Sequence, residues 1–142
     1  MNTFGYGTRM DKVTWKKDAY IILYEMVKKD EPLFKEFKEY YEEKKDSFEN
    51  ELECFDYWMD CIFENETTLV SGIEGLIVEL INDQYNDSVF SYEDCCIFVQ
   101  ATLPVDKDDY IPSQKEIRAI LAKYLNPLIE EPITVGWYNI YY

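Results

Sequence analysis

Five carboxylates, Glu49, Glu53, Asp56, Asp60 and Glu64, follow one another at intervals of four, three, four and four residues. That rhythm places all five on one face of an α-helix. At the helical rise per residue the row extends roughly 22 Å. Such a row can hold a divalent cation, supply a general acid and base, or present a continuous negative face to a basic partner. Two other acidic stretches, Asp83 to Asp87 and Asp106 to Asp109, resemble loose oxygen-ligand loops. Neither has the glycine at position 6 or the glutamate at position 12 of an EF-hand.

The residues that usually accompany carboxylate chemistry are missing. The chain has no histidine, the side chain that ordinarily moves protons at neutral pH. It has no G-x-S-x-G elbow and no P-loop, and Ser71-Gly72-Ile73-Glu74-Gly75 is not a phosphate cradle. Gly72 and Gly75 are read instead as serving turn geometry or close packing. The four cysteines, Cys54, Cys61, Cys95 and Cys96, form no C-x-x-C pair, so a structural zinc site is not indicated. Cys54 and Cys61 share a helical face two turns apart, and Cys95 and Cys96 point to opposite sides of a strand. All four are read as reduced, buried thiols. The expectation is a protein without catalytic residues, metal or cofactor.

The row belongs to a larger asymmetry. Of 29 acidic residues, 15 lie between Asp46 and Asp106, and that stretch contains none of the 14 lysines and arginines. The rest of the chain is balanced, so the whole net charge of −15 sits in the middle. Free nucleic acid and anionic membranes are repelled by such a chain, whereas basic proteins are attracted. Arg9, Lys12, Lys16, Lys17 and Arg118 are left to form a minor basic patch or to bridge internally to the acidic segment. Within the row, like charges at i, i+4 cost a few tenths of a kcal/mol per pair, and the buried side of the same helix must compensate.

The elements that position the row follow from apolar spacing. With 47% hydrophobic and 17% aromatic residues, 142 residues suffice for one folded domain spanning 1–142. Thr14 reads as the cap of a first helix running to about Lys29, with Trp15, Ala19, Ile22, Leu23 and Met26 at helical spacing. Asp30-Glu31-Pro32 breaks and restarts the chain. A second helix over 32–45 buries Leu33, Phe34, Phe37, Tyr40 and Tyr41. Ser47 caps a third over 48–64, whose apolar stripe is Phe48, Leu52, Phe55, Met59 and Ile62, widened by Trp58 and Phe63. Ile73, Leu76, Ile77, Leu80 and Ile81 make a fourth helix ending near Asn82.

The pattern then changes. CCIFVQATL reads as a buried strand. Ser113-Gln114-Lys115-Glu116 is a capping box that opens a helix ended by Asn126-Pro127. Residues 133–142 alternate as a terminal strand, with Ile133, Val135, Trp137 and Tyr141 on one face and a slight preference for packing inward over pairing with a second copy. The class is α+β: four helices in the N-terminal two-thirds, then strand-helix-strand. A helix between two strands permits parallel pairing with a right-handed crossover. Two strands alone are marginal, so either VFSY or the N-terminal FGYG segment is expected to add a third.

No stretch has the roughly 18 apolar residues of a membrane span, and the N-terminus lacks a basic-then-apolar leader. No membrane association and a cytoplasmic location are therefore expected. In size and composition the chain is similar to the small acidic inhibitors of phages and mobile elements, the anti-CRISPR and antirestriction proteins, although no motif aligns. A carboxylate row stepping about 5–6 Å approaches the phosphate spacing of a nucleic-acid strand, about 6–7 Å. The expected function is a non-catalytic nucleic-acid mimic that blocks a basic, nucleic-acid-binding protein through Glu49, Glu53, Asp56, Asp60 and Glu64. Tyr57 is the expected aromatic anchor, with Tyr85, Phe90 and Tyr92 near it. An immunity protein for a basic nuclease toxin is the alternative of the same kind. A divalent-metal-dependent enzyme using Asp and Glu is the alternative of another.

Overall fold

The computed structural model describes residues 2–62, 72–85, 90–101 and 114–141. In chain order the elements are β1 (Asn2–Arg9), α1 (Ala19–Lys28), α2 (Glu31–Lys44), α3 (Glu51–Ile62), α4 (Gly72–Tyr85), β2 (Phe90–Glu93), β3 (Cys96–Ala101), α5 (Gln114–Leu125) and β4 (Val135–Tyr141). Short 3-10 turns follow α2 (Lys45–Ser47) and α5 (Asn126–Leu128). The helix-rich mixed class agrees with the sequence reading. The sheet is larger than expected, with four strands in the order β2-β3-β1-β4.

Every strand pair is antiparallel, which corrects the parallel crossover. Tyr6 of β1 faces Val99 on one side and Trp137 on the other. The N-terminal strand is thus inserted between β3 and β4. Those two strands run in the same direction, as a helical crossover requires, but they are not neighbours. Both candidate third strands join the sheet. The N-terminal two-thirds accordingly opens on a strand before its helices begin.

The helices cover one face of the sheet, with α5 against β1 and α4 against β2. Tyr6, Phe90, Ile97 and Val99 point into this core beside Leu23, Phe37, Trp58, Ile77 and Leu121. Cys96, Phe98 and Ile140 are buried on the opposite face, with Tyr138 against them. The unbroken apolar run of β3 suits a strand buried on both sides. Tyr6 is held further by Arg118, whose Nη2 donates to the phenol oxygen at 3.0 Å.

Several boundaries move for tertiary reasons. Helix α1 begins at Ala19, well after Thr14. The chain before it is tied to the segment after α5: Trp15 bridges Ile129, Lys16 N–H donates to Leu128 O at 2.9 Å, and Glu130 N–H donates to Thr14 O at 2.9 Å. These bonds hold residues 14–16 extended. Asp30 caps α2, accepting from Leu33 N–H at 3.2 Å, with Pro32 in the first turn where its missing N–H costs nothing. Gly72 opens α4 against the Met59 carbonyl, where a side chain would collide with the α3 backbone.

Cys95 and Cys96 do not both lie in a strand. Asp94 and Cys95 form the two-residue turn of the β2–β3 hairpin, with φ values of 50° and 57°. Two left-handed residues give the type I′ geometry that matches strand twist. Cys95 is therefore exposed and Cys96 buried. Burial pushes the Cys96 thiol up to about 12. Cys54 is also buried, and its thiol is raised by the same cause.

Candidate functional site

Helix α3 carries the acidic row. Its cap is Asn50, not Ser47, which lies in the preceding 3-10 turn. Asn50 Oδ1 accepts from Glu53 N–H at 2.8 Å, and Glu53 Oε2 accepts from Glu49 N–H at 3.3 Å. The exchange resembles a capping box, shifted by one residue on the glutamate side. The helix thus begins at Glu51, and Glu49 stands just ahead of its first turn.

One side of α3 is sunk in the core. Cys54, Phe55, Trp58 and Met59 are all buried. Phe55 meets the Phe37 ring edge-on at 5.3 Å and the Tyr24 ring at 5.2 Å, and Trp58 meets Phe37 at 5.3 Å. These contacts tie α3 to α1 and α2 and fix which face looks outward. Aromatic packing of this kind contributes about 0.5–1.5 kcal/mol per pair beyond burial. That is larger than the few tenths lost to each like-charge pair on the other side.

The outward face carries Glu49, Glu53, Asp56, Tyr57 and Asp60, all exposed. The structure therefore brings together four of the five predicted carboxylates with the predicted aromatic. Glu64 falls outside the described residues, as do positions 86 and 87 of the first loose acidic loop and all of the second; Asp83 to Tyr85 prove to be the end of α4 and not a loop. Tyr57 is 52% exposed, and its ring leans on Phe48 at 5.4 Å. Phe48 was expected in the buried stripe. It instead precedes the helix, half-buried, and supports Tyr57 from the side. Of the other expected aromatics, Phe90 is buried in the core, Tyr92 is half-buried and Tyr85 remains exposed.

Glu51 behaves differently from its neighbours. It sits at the edge of the row and receives Lys38 of α2 at 2.7 Å. Burial would raise its carboxyl, but hydrogen bonds from Lys38 and Tyr24 outweigh that and hold it below the ordinary glutamate value. Tyr24 is in turn pushed up to about 12 by burial and by Glu51. The other ion pairs among the described residues are Arg9–Asp11, Lys28–Glu25 and Lys45–Glu42. None of them draws on Glu49, Glu53 or Asp56.

Among the described residues no three Cys, Asp or Glu side chains are grouped as a ligand set for a metal. No described helix is long and apolar enough to cross a membrane. No protein-family model, curated protein or solved structure matches this chain.

Proposed function

We propose that this protein is a non-catalytic inhibitor that lays the acidic face of α3 into the nucleic-acid-binding groove of a basic protein. The observation that carries the reading is the two-sidedness of α3. Cys54, Phe55, Trp58 and Met59 anchor it, while Glu49, Glu53, Asp56 and Asp60 project together into solvent. They do so within a stretch of sequence that contains no basic residue. A helix pinned from behind presents its charges as a rigid array, which lowers the ordering cost of binding. Steering by such a face makes association fast and salt-sensitive. Tyr57, propped by Phe48, supplies an aromatic anchor beside the charges. Anti-CRISPR and antirestriction proteins of phages and mobile elements are the style of inhibitor this implies.

The test is a pull-down from a bacterial host lysate at low and high salt, followed by a nucleic-acid binding assay on whatever is retained. The reading expects a basic protein that is released by salt and whose nucleic-acid binding the inhibitor blocks. Exchanging Asp56→Lys together with Asp60→Lys is expected to abolish retention while the chain remains folded. Undiminished retention of the partner by the double variant would exclude α3 as the contact surface.

A further inference from the structure

The two edges of the sheet are built differently. Strand β2 forms one edge with four residues and ends on Glu93. Strand β4 forms the other with seven, Val-Gly-Trp-Tyr-Asn-Ile-Tyr, none of them charged and none a proline. Its register against β1 runs unbroken from Val135 to Tyr141, so no bulge twists the edge away. Short length, charge, proline and bulges are the usual means by which an edge avoids pairing with another chain. β2 has two of them and β4 has none. Among the described residues β4 pairs with no strand but β1. Its other side therefore presents a row of outward-turned backbone donors and acceptors.

The helices leave this edge partly bare. α4 lies on β2 and α5 on β1, and two large rings on the helical side stay in water, Trp137 at 51% and Phe4 at 53% exposed. They are diagonal neighbours, because Tyr6 faces Trp137 and Phe4 faces Asn139 across β1–β4. On the opposite side of the sheet, a Cβ added to Gly136 would meet nothing within 4 Å. We propose that β4 is the interface through which this chain pairs with a second copy of itself, joining two sheets into one continuous antiparallel sheet.

Charge and symmetry select the occupant. β2 and β3 lie inside the stretch without basic residues, whereas β1 and β4 come from the balanced parts of the chain. Within the sheet, β1 thus separates the β4 edge from the acidic strands. A basic partner finds no counter-charge on β4, but a second copy can meet it without apposing the acidic segments. A two-fold axis makes the paired strands antiparallel, the sense of every pair in this sheet. With the axis at Tyr138, the middle residue of β4, the two Tyr138 rings oppose each other on one face. On the other face Trp137 opposes Asn139 and lies diagonal to its own counterpart. Ile140 falls opposite Gly136, where there is room. Cross-strand aromatic pairs of this kind stabilise antiparallel strands. Each copy carries a net charge of −15, so the two repel at long range. Salt screens that repulsion and strengthens the dimer, whereas it weakens the contact proposed for α3.

Sedimentation equilibrium of the protein alone tests this over about 1 μM to about 1 mM, a span that covers moderate to weak affinities. Twice the monomer mass is expected at the upper end, and at lower protein concentration as salt rises. Trp137→Lys, which sets a charge on the edge, is expected to hold the monomer mass throughout. Asp56→Lys with Asp60→Lys is expected to retain the dimer. A wild type that stays monomeric over the whole range overturns the proposal, as does a dimer that Trp137→Lys leaves intact. Should Trp137→Lys lose its fold along with the Tyr6 ring contact at 5.2 Å, a mixture of isotope-labelled and unlabelled wild type decides. Nuclear Overhauser contacts between β4 of labelled and β4 of unlabelled copies support the pairing, and a dimer without them defeats it. No partner protein enters the experiment, so its failure leaves the α3 reading standing.

Discussion

Lys38 Nζ donates to Glu51 Oε1 at 2.7 Å while lying 5.2 Å from the centre of the Tyr41 ring and 5.8 Å from that of Phe34. One lysine from the balanced part of the chain thus reaches the acidic segment and pins α2 to α3. With both side chains part-exposed, the pair contributes at most about 1 kcal/mol. Because the Glu51 carboxyl is held below its ordinary value of 4.5, this stability is present above that pH and disappears as pH falls through the lowered value. Denaturant titrations should therefore show Glu51→Gln less stable than wild type at pH 7, with the gap narrowing as pH falls below 4.5.

Relief of repulsion on the outward face should stabilise the protein even as it removes the proposed contact surface. Asp56 stands at i+3 from Glu53 and i−4 from Asp60, so Asp56→Lys replaces two repulsive pairs by two attractive ones. At a few tenths of a kcal/mol each, the melting temperature should rise by roughly 1–3 °C at low ionic strength. Added salt should raise the wild-type melting temperature and narrow the gap, since exposed charges are screened. A melting temperature that falls on substitution would show that Asp56 has a structural partner.

Strand β1 tolerates no side chain at Gly7. A Cβ there would run into the Ile97 carbonyl oxygen and sit 2.6 Å from Phe98 Cα. Backbone atoms cannot rotate away, so Gly7→Ala should destabilise by about 2–3 kcal/mol in chemical denaturation. Gly136, its partner across β1–β4, has nothing within 4 Å of the added carbon. Gly136→Ala should be neutral or slightly stabilising in the same experiment, because alanine restricts the unfolded chain.

Asn82 holds both polar groups of the Phe90 backbone at the start of β2. Asn82→Ala leaves them without these partners in a half-buried place, costing about 1–3 kcal/mol. Hydrogen exchange should show the loss first at Phe90, with the central β1–β3 ladder protected until global unfolding.

Much of this protein follows from the order of its residues. The apolar spacing of Phe55, Trp58 and Met59 determines which side of α3 is buried, and the acidic spacing then determines the face left to water. Both are local periodicities, so four members of the row are found together where the sequence places them. The absence of basic residues between Asp46 and Asp106 is equally a property of sequence, and it makes the face acidic whatever the fold. Only tertiary structure could decide the rest, because the deciding partners are far apart in the chain. Trp15 is extended and not helical because Leu128 and Ile129 bind its neighbourhood. The β1 segment lies between β3 and β4 because glycines at positions 5 and 7 leave room for Phe98. Asp30 and Asp83 each read as a local helix break or turn. They come to line one cleft only through the tertiary fold, since periodicity reports which face a residue occupies and not which distant residue it will meet.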